Sequence, residues 1–345
     1  MNNNIDLDFS QNLNVFDCPK NIISVLKNEI DTIDSYPSSS RDPSIEKVSR
    51  FFNVNKDEIA LGNGTTEIIF NLPTVLPKGK VVILLPSFWE YKAANKRTSE
   101  NIVEKYFLSE DNNFELDFAD FNKTIKNAQT VYLCNPNNPT STILDKNKIL
   151  NLITNNPNTN FVIDETYLLF RNTYNKESLS IEAPNYPNLF VVTSVSKFFR
   201  IPGMRIGFLV SNKTNIEKYH KTAIPYTTNR LVESILPHIF KNKSFISKSR
   251  KFYEIQRQEV FNQINNKFHD KLKALYPQAN FILVKILDVK LINKLFESLK
   301  RAKIQVRNGI EFEGLGKEWL RINIKTNKEN KILFEQLNKT INNEK

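Results

Sequence analysis

Short apolar runs alternate with helix-length stretches through the first two thirds of the chain. Five runs, at residues 81–85, 130–134, 160–163, 189–193 and 206–210, have the length and the β-branched and aromatic content of buried strands. Stretches of helical length, such as 91–100 and 146–154, lie between several of them. This alternation predicts an α/β fold with a mainly parallel sheet that is covered by helices on both faces.

The pattern changes after about residue 214, where a long helical stretch leads through 244–268. Strand-like runs return near 281–286 and 319–324, which predicts a compact α+β section. We expect residues 8–35 to pack with this section. The sequence therefore predicts a large domain at 36–230 and a small domain built from both ends of the chain, at 1–35 and 231–345.

One lysine stands between two of the strand-like runs. The segment at 194–207 reads SVSKFFRIPGMRIG and places Lys197 between them. A buried lysine is costly unless it is paired or covalently engaged, and a Schiff base with an aldehyde is one common reason for such a position. Ser194 and Arg205 would then hold a phosphate beside it. The alternative is a surface lysine on an ordinary loop.

Three further segments favour the first interpretation. The turn NPNNPT at 135–140 follows one strand-like run, and Asp164 and Tyr167 follow the next. Earlier, LGNGTTE at 61–67 precedes an apolar helix-like run, and glycines and hydroxyls at a helix start form an anion site. Each segment alone is explained as a turn or a cap. Their appearance together, in this order, indicates a functional site.

These segments resemble the fold-type-I pyridoxal-phosphate (PLP) enzymes, the aspartate aminotransferase superfamily, from about Asp8 to about Thr326. The resemblance implies a sheet of the seven-stranded type and a small α+β domain. It implies Lys197 as the lysine that links covalently to PLP and Asp164 as the partner of the pyridine nitrogen. The remaining cofactor residues that it implies are Tyr167 and Asn138 at the phenolic oxygen, Phe88 stacked on the ring, Gly64, Thr65, Thr66, Ser194 and Arg205 at the phosphate, and Tyr36 from the neighbouring subunit.

The chemistry of PLP explains these residue types. A negative Asp164 keeps the ring nitrogen protonated, which makes the ring an electron sink. Lys197 first tethers the cofactor and then moves a proton. Lys197, Asp164 and Tyr167 are therefore the expected catalytic residues.

Substrate residues follow from the same resemblance. Arg321 matches the arginine that binds the substrate's α-carboxylate, and we expect Asn12 to help orient that group. Ser10, Arg307 and Arg230 are candidates for binding a substrate phosphate, since arginine suits charge-assisted contacts to phosphate. Arg230 and Arg307 are equally explained as surface ion-pair residues.

Within the superfamily, the chain resembles most the branch of threonine-phosphate decarboxylase and histidinol-phosphate aminotransferase. Segments such as DFSQNLN at 8–14 and PYTTN at 225–229 favour the decarboxylase. Val15 and Ser141 depart from that pattern, which has proline and glycine there. The leading hypothesis is decarboxylation of L-serine phosphate to ethanolamine phosphate, or of L-threonine phosphate to aminopropanol phosphate.

Two alternatives stay open at this point. The first is a PLP-dependent aminotransferase that acts on a phosphorylated amine, such as histidinol phosphate or serinol phosphate. The second is a nicotinamide-dependent oxidoreductase, since Gly62 and Gly64 follow a strand-like run. The third glycine of that motif is missing, because Glu67 stands in its place.

Composition changes this picture little. The formal charge of +11 comes from lysines spread along the chain rather than from a basic platform, so we expect no nucleic-acid partner. No apolar run approaches the roughly 20 residues of a membrane span, and the first residues do not form a signal-peptide pattern.

Two cysteines, Cys18 and Cys134, favour a reducing cytoplasm. The three histidines are not spaced as a metal site. A small-molecule substrate and a homodimer with shared active sites are expected.

Overall fold

The computed structural model describes residues 6–37, 45–98 and 100–342. Within them the strands are β1 (Leu7–Asp8), β2 (Ile59–Asn63), β3 (Lys80–Leu85), β4 (Ile102–Phe107), β5 (Thr130–Cys134), β6 (Asn160–Asp164), β7 (Leu189–Ser194), β8 (Ile206–Val210), β9 (Leu272–Ala274), β10 (Phe281–Ile286), β11 (Ile304–Gln305), β12 (Arg307–Asn308) and β13 (Trp319–Asn323). The α-helices are α1 (Lys20–Asn28), α2 (Ile45–Phe52), α3 (Gly64–Val75), α4 (Glu90–Lys96), α5 (Phe118–Thr124), α6 (Lys146–Asn155), α7 (Tyr174–Glu177), α8 (Lys213–Thr222), α9 (Arg230–Ile239), α10 (Lys243–Lys267), α11 (Leu291–Arg301) and α12 (Asn327–Asn342).

The large sheet has seven strands in the order β2-β8-β7-β6-β5-β3-β4. Neighbours from β7 to β4 pair in parallel, whereas β8 runs antiparallel to both β7 and β2. The five predicted strands all lie in this sheet, so the predicted α/β class is confirmed. The strand-like run noted before Gly62 is β2, which extends through Asn63. The edge strand β4 was not predicted, because charged residues interrupt its apolar pattern.

Helices cover both faces of this sheet. Along β3, Val82 and Leu84 join a core with residues of α5 and α6, whereas Val81 and Ile83 join a second core with residues of α3 and α8. Successive side chains of a strand point to opposite faces, so a strand buried on both faces is apolar throughout. This explains why the central strands appear in the sequence as unbroken apolar runs.

A smaller antiparallel sheet follows, in the order β12-β13-β10-β9. The beginning of the chain joins this part of the molecule, because β1 pairs in parallel with β11 and Asn323 donates its backbone N–H to the Phe9 carbonyl at 2.8 Å. The same N-terminal segment then reaches the large sheet, where the Asn14 N–H bonds to the Lys197 carbonyl at 3.0 Å. The domain boundaries at residues 36 and 230 stay a prediction.

None of the helices in the described ranges combines the length and the apolar character needed to cross a lipid bilayer.

A close backbone approach fixes β8 against the start of α3. A Cβ on Gly207 would lie 2.4 Å from both the carbonyl carbon of Gly64 and the backbone nitrogen of Thr65. Real Cβ atoms do not come so near to backbone atoms, so only glycine fits at this position. The first turn of α3 is therefore held at the edge of the sheet where Ser194 and Lys197 also lie.

We expect Gly207→Ala to lower the free energy of unfolding by about 1–3 kcal/mol, because the added methyl group must push β8 away from α3. Denaturant unfolding monitored by circular dichroism measures this loss. Gly203→Ala is the matched control, since a Cβ at Gly203 would have no neighbour within 4 Å. Equal stability of the two variants would contradict the proposed close contact.

Candidate cofactor and substrate site

The carboxyl ends of the central parallel strands meet at one edge of the large sheet. Cys134 of β5 is the register partner of Asp164 of β6, which in turn pairs with Val192 of β7. Open α/β sheets bind ligands at this edge. A cavity lies there, lined by Gly64, Thr65, Thr66, Phe88, Tyr91, Cys134, Asn138, Asp164, Thr166, Tyr167, Ser194, Ser196, Lys197, Pro202 and Arg205. Ten of these fifteen residues were predicted from the sequence as cofactor residues.

Asp164 is a buried carboxylate that is held by neutral donors. Its Oδ1 atom accepts the Thr166 backbone N–H at 2.8 Å, and its Oδ2 atom accepts the Tyr91 hydroxyl at 2.8 Å. No cation lies within ion-pair distance of it among the described residues. A buried negative charge is costly without a positive partner. A protonated pyridine nitrogen in the cavity would supply that partner, so this residue fits PLP.

Lys197 presents its amine to the same cavity. The Nζ atom lies 4.7 Å from the centre of the Tyr167 ring, and the following residues Phe198 and Phe199 are fully buried. Burying these phenylalanines anchors the loop immediately after the lysine. Lys197 thus lines the cavity, which agrees with the interpretation of a reactive amine rather than of a surface residue on an ordinary loop.

The start of α3 forms the opposite wall. Gly64 has a φ of +76°, and a Cβ there would lie 2.5 Å from Nη2 of Arg205, so glycine allows the guanidinium to lie against the helix. The α3 N-terminus carries unpaired backbone N–H groups and a partial positive charge. Together with the hydroxyls of Thr65 and Thr66, these groups are suited to hold a phosphate.

The Ser194 hydroxyl bonds to backbone groups of the protein, so its contacts differ from those of a residue that only binds an anion. Its hydroxyl donates to the Ile206 carbonyl at 2.7 Å and accepts the Ser196 N–H at 3.1 Å. The Ser196 hydroxyl bonds to the same Ile206 carbonyl at 3.1 Å. The two serines thus close the loop that carries Lys197 and Arg205. Ser196 was not among the predicted residues.

A second layer of the site comes from the small sheet. Arg321 of β13 is buried, and its guanidinium donates to the Asn138 side-chain oxygen and, at 2.6 Å, to the Ser10 carbonyl. Burial lowers the pKa of Arg321 to about 10, which still leaves it charged at neutral pH. Asn12, also buried, donates to the Tyr167 hydroxyl at 3.3 Å. These contacts place Ser10, Asn12 and Arg321 directly beside the cavity residues.

The other predicted residues lie further out. Arg307 of β12 is the cross-strand partner of Arg321 and forms an ion pair with Glu311. Arg230 begins α9 and pairs at 2.6 Å with Glu233, whose carboxylate is buried, so this ion pair is less exposed than the surface pair considered above. Tyr36 is 87% exposed, and its ring lies 5.7 Å from that of Tyr226, away from the cavity of its own chain.

Two further residues that were not predicted, Tyr91 and Glu90, bear on the cavity. Tyr91 is fully buried and connects Asp164 to the aromatic Phe88, whose ring lies 5.8 Å away in an edge contact. Glu90 hydrogen-bonds with Thr66, and burial raises the pKa of its carboxyl. Tyr91 begins the stretch 91–100 that predicted a helix, and Glu90 directly precedes it. Nothing in the spacing alone showed which face would point inward.

Glu165 lies immediately behind the site and is fully buried. Its carboxylate accepts the Ser178 hydroxyl at 2.6 Å and the Leu179 N–H at 2.7 Å, which ties the end of β6 to the following loop. Burial raises the pKa of Glu165 to about 7 despite these hydrogen bonds. The folded protein therefore binds a proton there more readily than the unfolded chain does.

This raised pKa predicts a pH-dependent stability. The favourable contribution of protonated Glu165 is complete below pH about 4.5 and is lost as the pH rises to about 7. Relative to the Glu165→Gln variant, the wild type should lose on the order of 3 kcal/mol of unfolding free energy across this range. Urea unfolding at several pH values measures this difference in unfolding free energy between the wild type and the variant. Glu297→Gln, at an exposed position of α11, is the control, and a parallel pH response of wild type and Glu165→Gln would contradict the assignment.

The sequence matches a family model described as aminotransferase class I and II over residues 4–337. The chain belongs to this aminotransferase family. Its cofactor is pyridoxal 5'-phosphate, for which the cavity offers a suitable lysine, carboxylate and anion cradle. The resemblance found in the sequence is thereby confirmed. The nicotinamide hypothesis is wrong, and the fold agrees with this. Among the described strands, β2, which precedes Gly64, pairs with the antiparallel strand β8 alone, unlike the parallel first strand of a dinucleotide fold.

Individual members of the family are similar along nearly the whole chain. A protein of Leptospira interrogans named as the adenosylcobalamin biosynthesis bifunctional protein CobDQ is 29% identical over 95% of this chain, which spans 38% of that protein's length. A protein of Caldanaerobacter subterraneus that carries the name threonine-phosphate decarboxylase is 29% identical, with 94% of this chain and 88% of the relative covered. The crystal structure of histidinol-phosphate aminotransferase from Clostridium acetobutylicum superposes with a TM-score of 0.88 at 27% identity, covering 97% of this chain and 99% of the other.

Proposed function

We propose that this family member is a decarboxylase of a phosphorylated hydroxy-amino acid. It would convert L-serine phosphate to ethanolamine phosphate, or L-threonine phosphate to aminopropanol phosphate. The observation that carries the proposal is the pair Arg321 and Arg307, which are direct partners on β13 and β12. Cross-strand partners have Cα atoms about 4.5–5.5 Å apart, so the two guanidiniums suit a compact ligand with two anionic groups. A phosphorylated hydroxy-amino acid carries a carboxylate and a phosphate within a few bonds.

The cofactor would be held by residues that belong mainly to the large sheet. Lys197 would link to its aldehyde, Asp164 would face its ring nitrogen and Phe88 would stack on its ring. The remaining contacts would be Tyr167 and Asn138 at the phenolic oxygen and Gly64, Thr65, Thr66, Ser194 and Arg205 around the phosphate. PLP, when bound there, supplies a protonated ring that withdraws electrons from the substrate's α-carbon.

The protein's own residues would direct the reaction. Arg321, fixed by Asn138 and the Ser10 carbonyl, would hold the α-carboxylate, and Asn12 would help to orient it. Arg307 and Ser10 would bind the distal phosphate. Lys197 would deliver a proton to the α-carbon after carbon dioxide has left. Tyr167, which accepts a hydrogen bond from Asn12 beside the lysine, would keep that amine in place.

An aminotransferase that acts on a phosphorylated amine such as histidinol phosphate or serinol phosphate is the second candidate. The observation in its favour is the close superposition on the Clostridium histidinol-phosphate aminotransferase. Histidinol phosphate carries a phosphate but no carboxylate. An aminotransferase would therefore use Arg321 only for the keto-acid partner, whereas a decarboxylase would use both arginines for one substrate.

The decisive assay uses O-phospho-L-serine and O-phospho-L-threonine without any keto acid. We expect catalytic release of carbon dioxide and of the phosphorylated amine, measured by coupled carbon dioxide detection and by mass spectrometry. Lys197→Ala, which lacks the linking amine, is the negative control and should also lose the visible absorbance of the bound cofactor. A strict requirement for 2-oxoglutarate would overturn the decarboxylase in favour of the aminotransferase.

The site is also proposed to be shared between the subunits of a cytoplasmic homodimer. Tyr36 matches the residue that reaches the phosphate of the neighbouring site, and its exposure agrees with this role. Tyr226 lies against Tyr36, and Ile224 beside it in the chain is 70% exposed. Exposed apolar side chains of this kind, grouped together, are typical of an interface between subunits.

A shared site predicts that two inactive variants restore each other's activity. Tyr36→Ala and Lys197→Ala should each be strongly impaired alone. After mixing and subunit exchange, half of the dimers are hybrids with one intact site, so activity should return to about a quarter of the wild-type value. The decarboxylation assay measures it. If the mixture stays as inactive as its parts, Tyr36 does not serve the neighbouring site.

A further inference from the structure

The two arginines of the small sheet carry unused binding capacity. Arg307 and Arg321 stand directly opposite each other, and the Nε atoms of both are buried without a hydrogen-bond partner among the described residues. Like charges in opposite positions of a sheet destabilise it. An anion is therefore needed beside them even when no substrate is bound.

Glu311 supplies that anion. It ends the short 3-10 turn Gly309–Glu311, which directly follows β12, and one carboxylate oxygen pairs with Nη1 of Arg307. The other oxygen accepts the Asn308 backbone N–H at 3.3 Å. The Glu311 charge also acts on Arg321. Burial lowers the pKa of Arg321, whereas the nearby Glu311 carboxylate raises it. Glu311 thus occupies a contact to Arg307 that a bound anion would otherwise make.

The Glu311 contact is one that a ligand can displace. The side chains of Arg307 and Glu311 are 34% and 38% exposed, and they are four residues apart in the chain. Ion pairs of this exposure are weak. A phosphate, with two negative charges and three acceptor oxygens, interacts with arginine more strongly than a single carboxylate does.

We propose that Glu311 is an intrinsic competitor that holds Arg307 in the free protein and must be displaced by the phosphate of the substrate. This inference rests on the proposed function, in which Arg307 binds that phosphate. Decarboxylation removes the carboxylate that Arg321 holds, so the product keeps only its phosphate contact. When the Glu311 carboxylate pairs with Arg307 again, it weakens the contact between Arg307 and the product's phosphate. It therefore favours release of the product.

The test measures binding rather than turnover. Inorganic phosphate is titrated into the PLP-loaded protein, so that the cofactor's own phosphate cradle is filled. Tryptophan fluorescence is the readout, because the Trp89 ring lies 6.0 Å from the Arg307 guanidinium carbon, whereas the second tryptophan, Trp319, is buried. Glu311→Gln keeps an oxygen for the Asn308 N–H, and Glu311→Ala serves as a second variant in case the turn is sensitive.

We expect both Glu311 variants to bind phosphate about fivefold more tightly than the wild type, equivalent to about 1 kcal/mol. Glu313→Gln is the matched control. It removes the same charge two residues away, where Glu313 pairs with Lys92 and Lys105 rather than with Arg307. Adding Arg307→Ala should abolish the gain. Unchanged affinity in the Glu311 variants, or an equal gain in Glu313→Gln, would overturn the proposal.

The phosphate-binding test and the decarboxylation assay can fail independently of each other. If the Glu311 variants bind phosphate more tightly but phosphoserine and phosphothreonine are not decarboxylated, the competitor role stands and the reaction assignment falls. If decarboxylation is observed while phosphate affinity does not depend on Glu311, the reaction stands and the competitor role falls.

Discussion

A single buried negative charge organises the candidate site. Asp164 lies at the end of the central strand β6, and its two oxygens accept only neutral donors, the Tyr91 hydroxyl and the Thr166 N–H. Two such hydrogen bonds fix the orientation of the carboxylate but do not neutralise it. The energetic cost of this arrangement is offset when a cation occupies the cavity. The pyridinium ring of the family's cofactor would be such a cation at the proposed site, so that cofactor binding would also relieve the buried charge.

The sheet topology explains why the other groups face the same point. β5, β6 and β7 are parallel neighbours, so the residues after each of them, Asn138, Tyr167 and Lys197, emerge at one edge. The antiparallel strand β8 then returns through Arg205, and Gly207 brings it into backbone contact with the start of α3. Local sequence signals that lie far apart in the chain therefore become one cavity.

The positions of the central strands could be predicted from the sequence. Central strands are buried on both faces, so their apolar runs gave their positions to within a residue or two, and the residues after them followed. The edge strand β4 has Ile102 and Phe107 exposed among charged residues, and its pattern was therefore not recognised. Tyr91 could not be assigned because its role depends on a contact with Asp164, 73 residues away, which no local pattern encodes.

The roles of the two sheets differ in a way that bears on specificity. The large sheet supplies the lysine, the carboxylate and the anion cradle, which any reaction on this cofactor needs. Arg307 and Arg321 lie on the small sheet, and the N-terminal segment with Ser10 and Asn12 is held to it by backbone hydrogen bonds. Substitutions on the small sheet can therefore change the substrate while cofactor binding is preserved. This separation agrees with the finding that proteins similar along nearly the whole chain carry the names of both a decarboxylase and an aminotransferase.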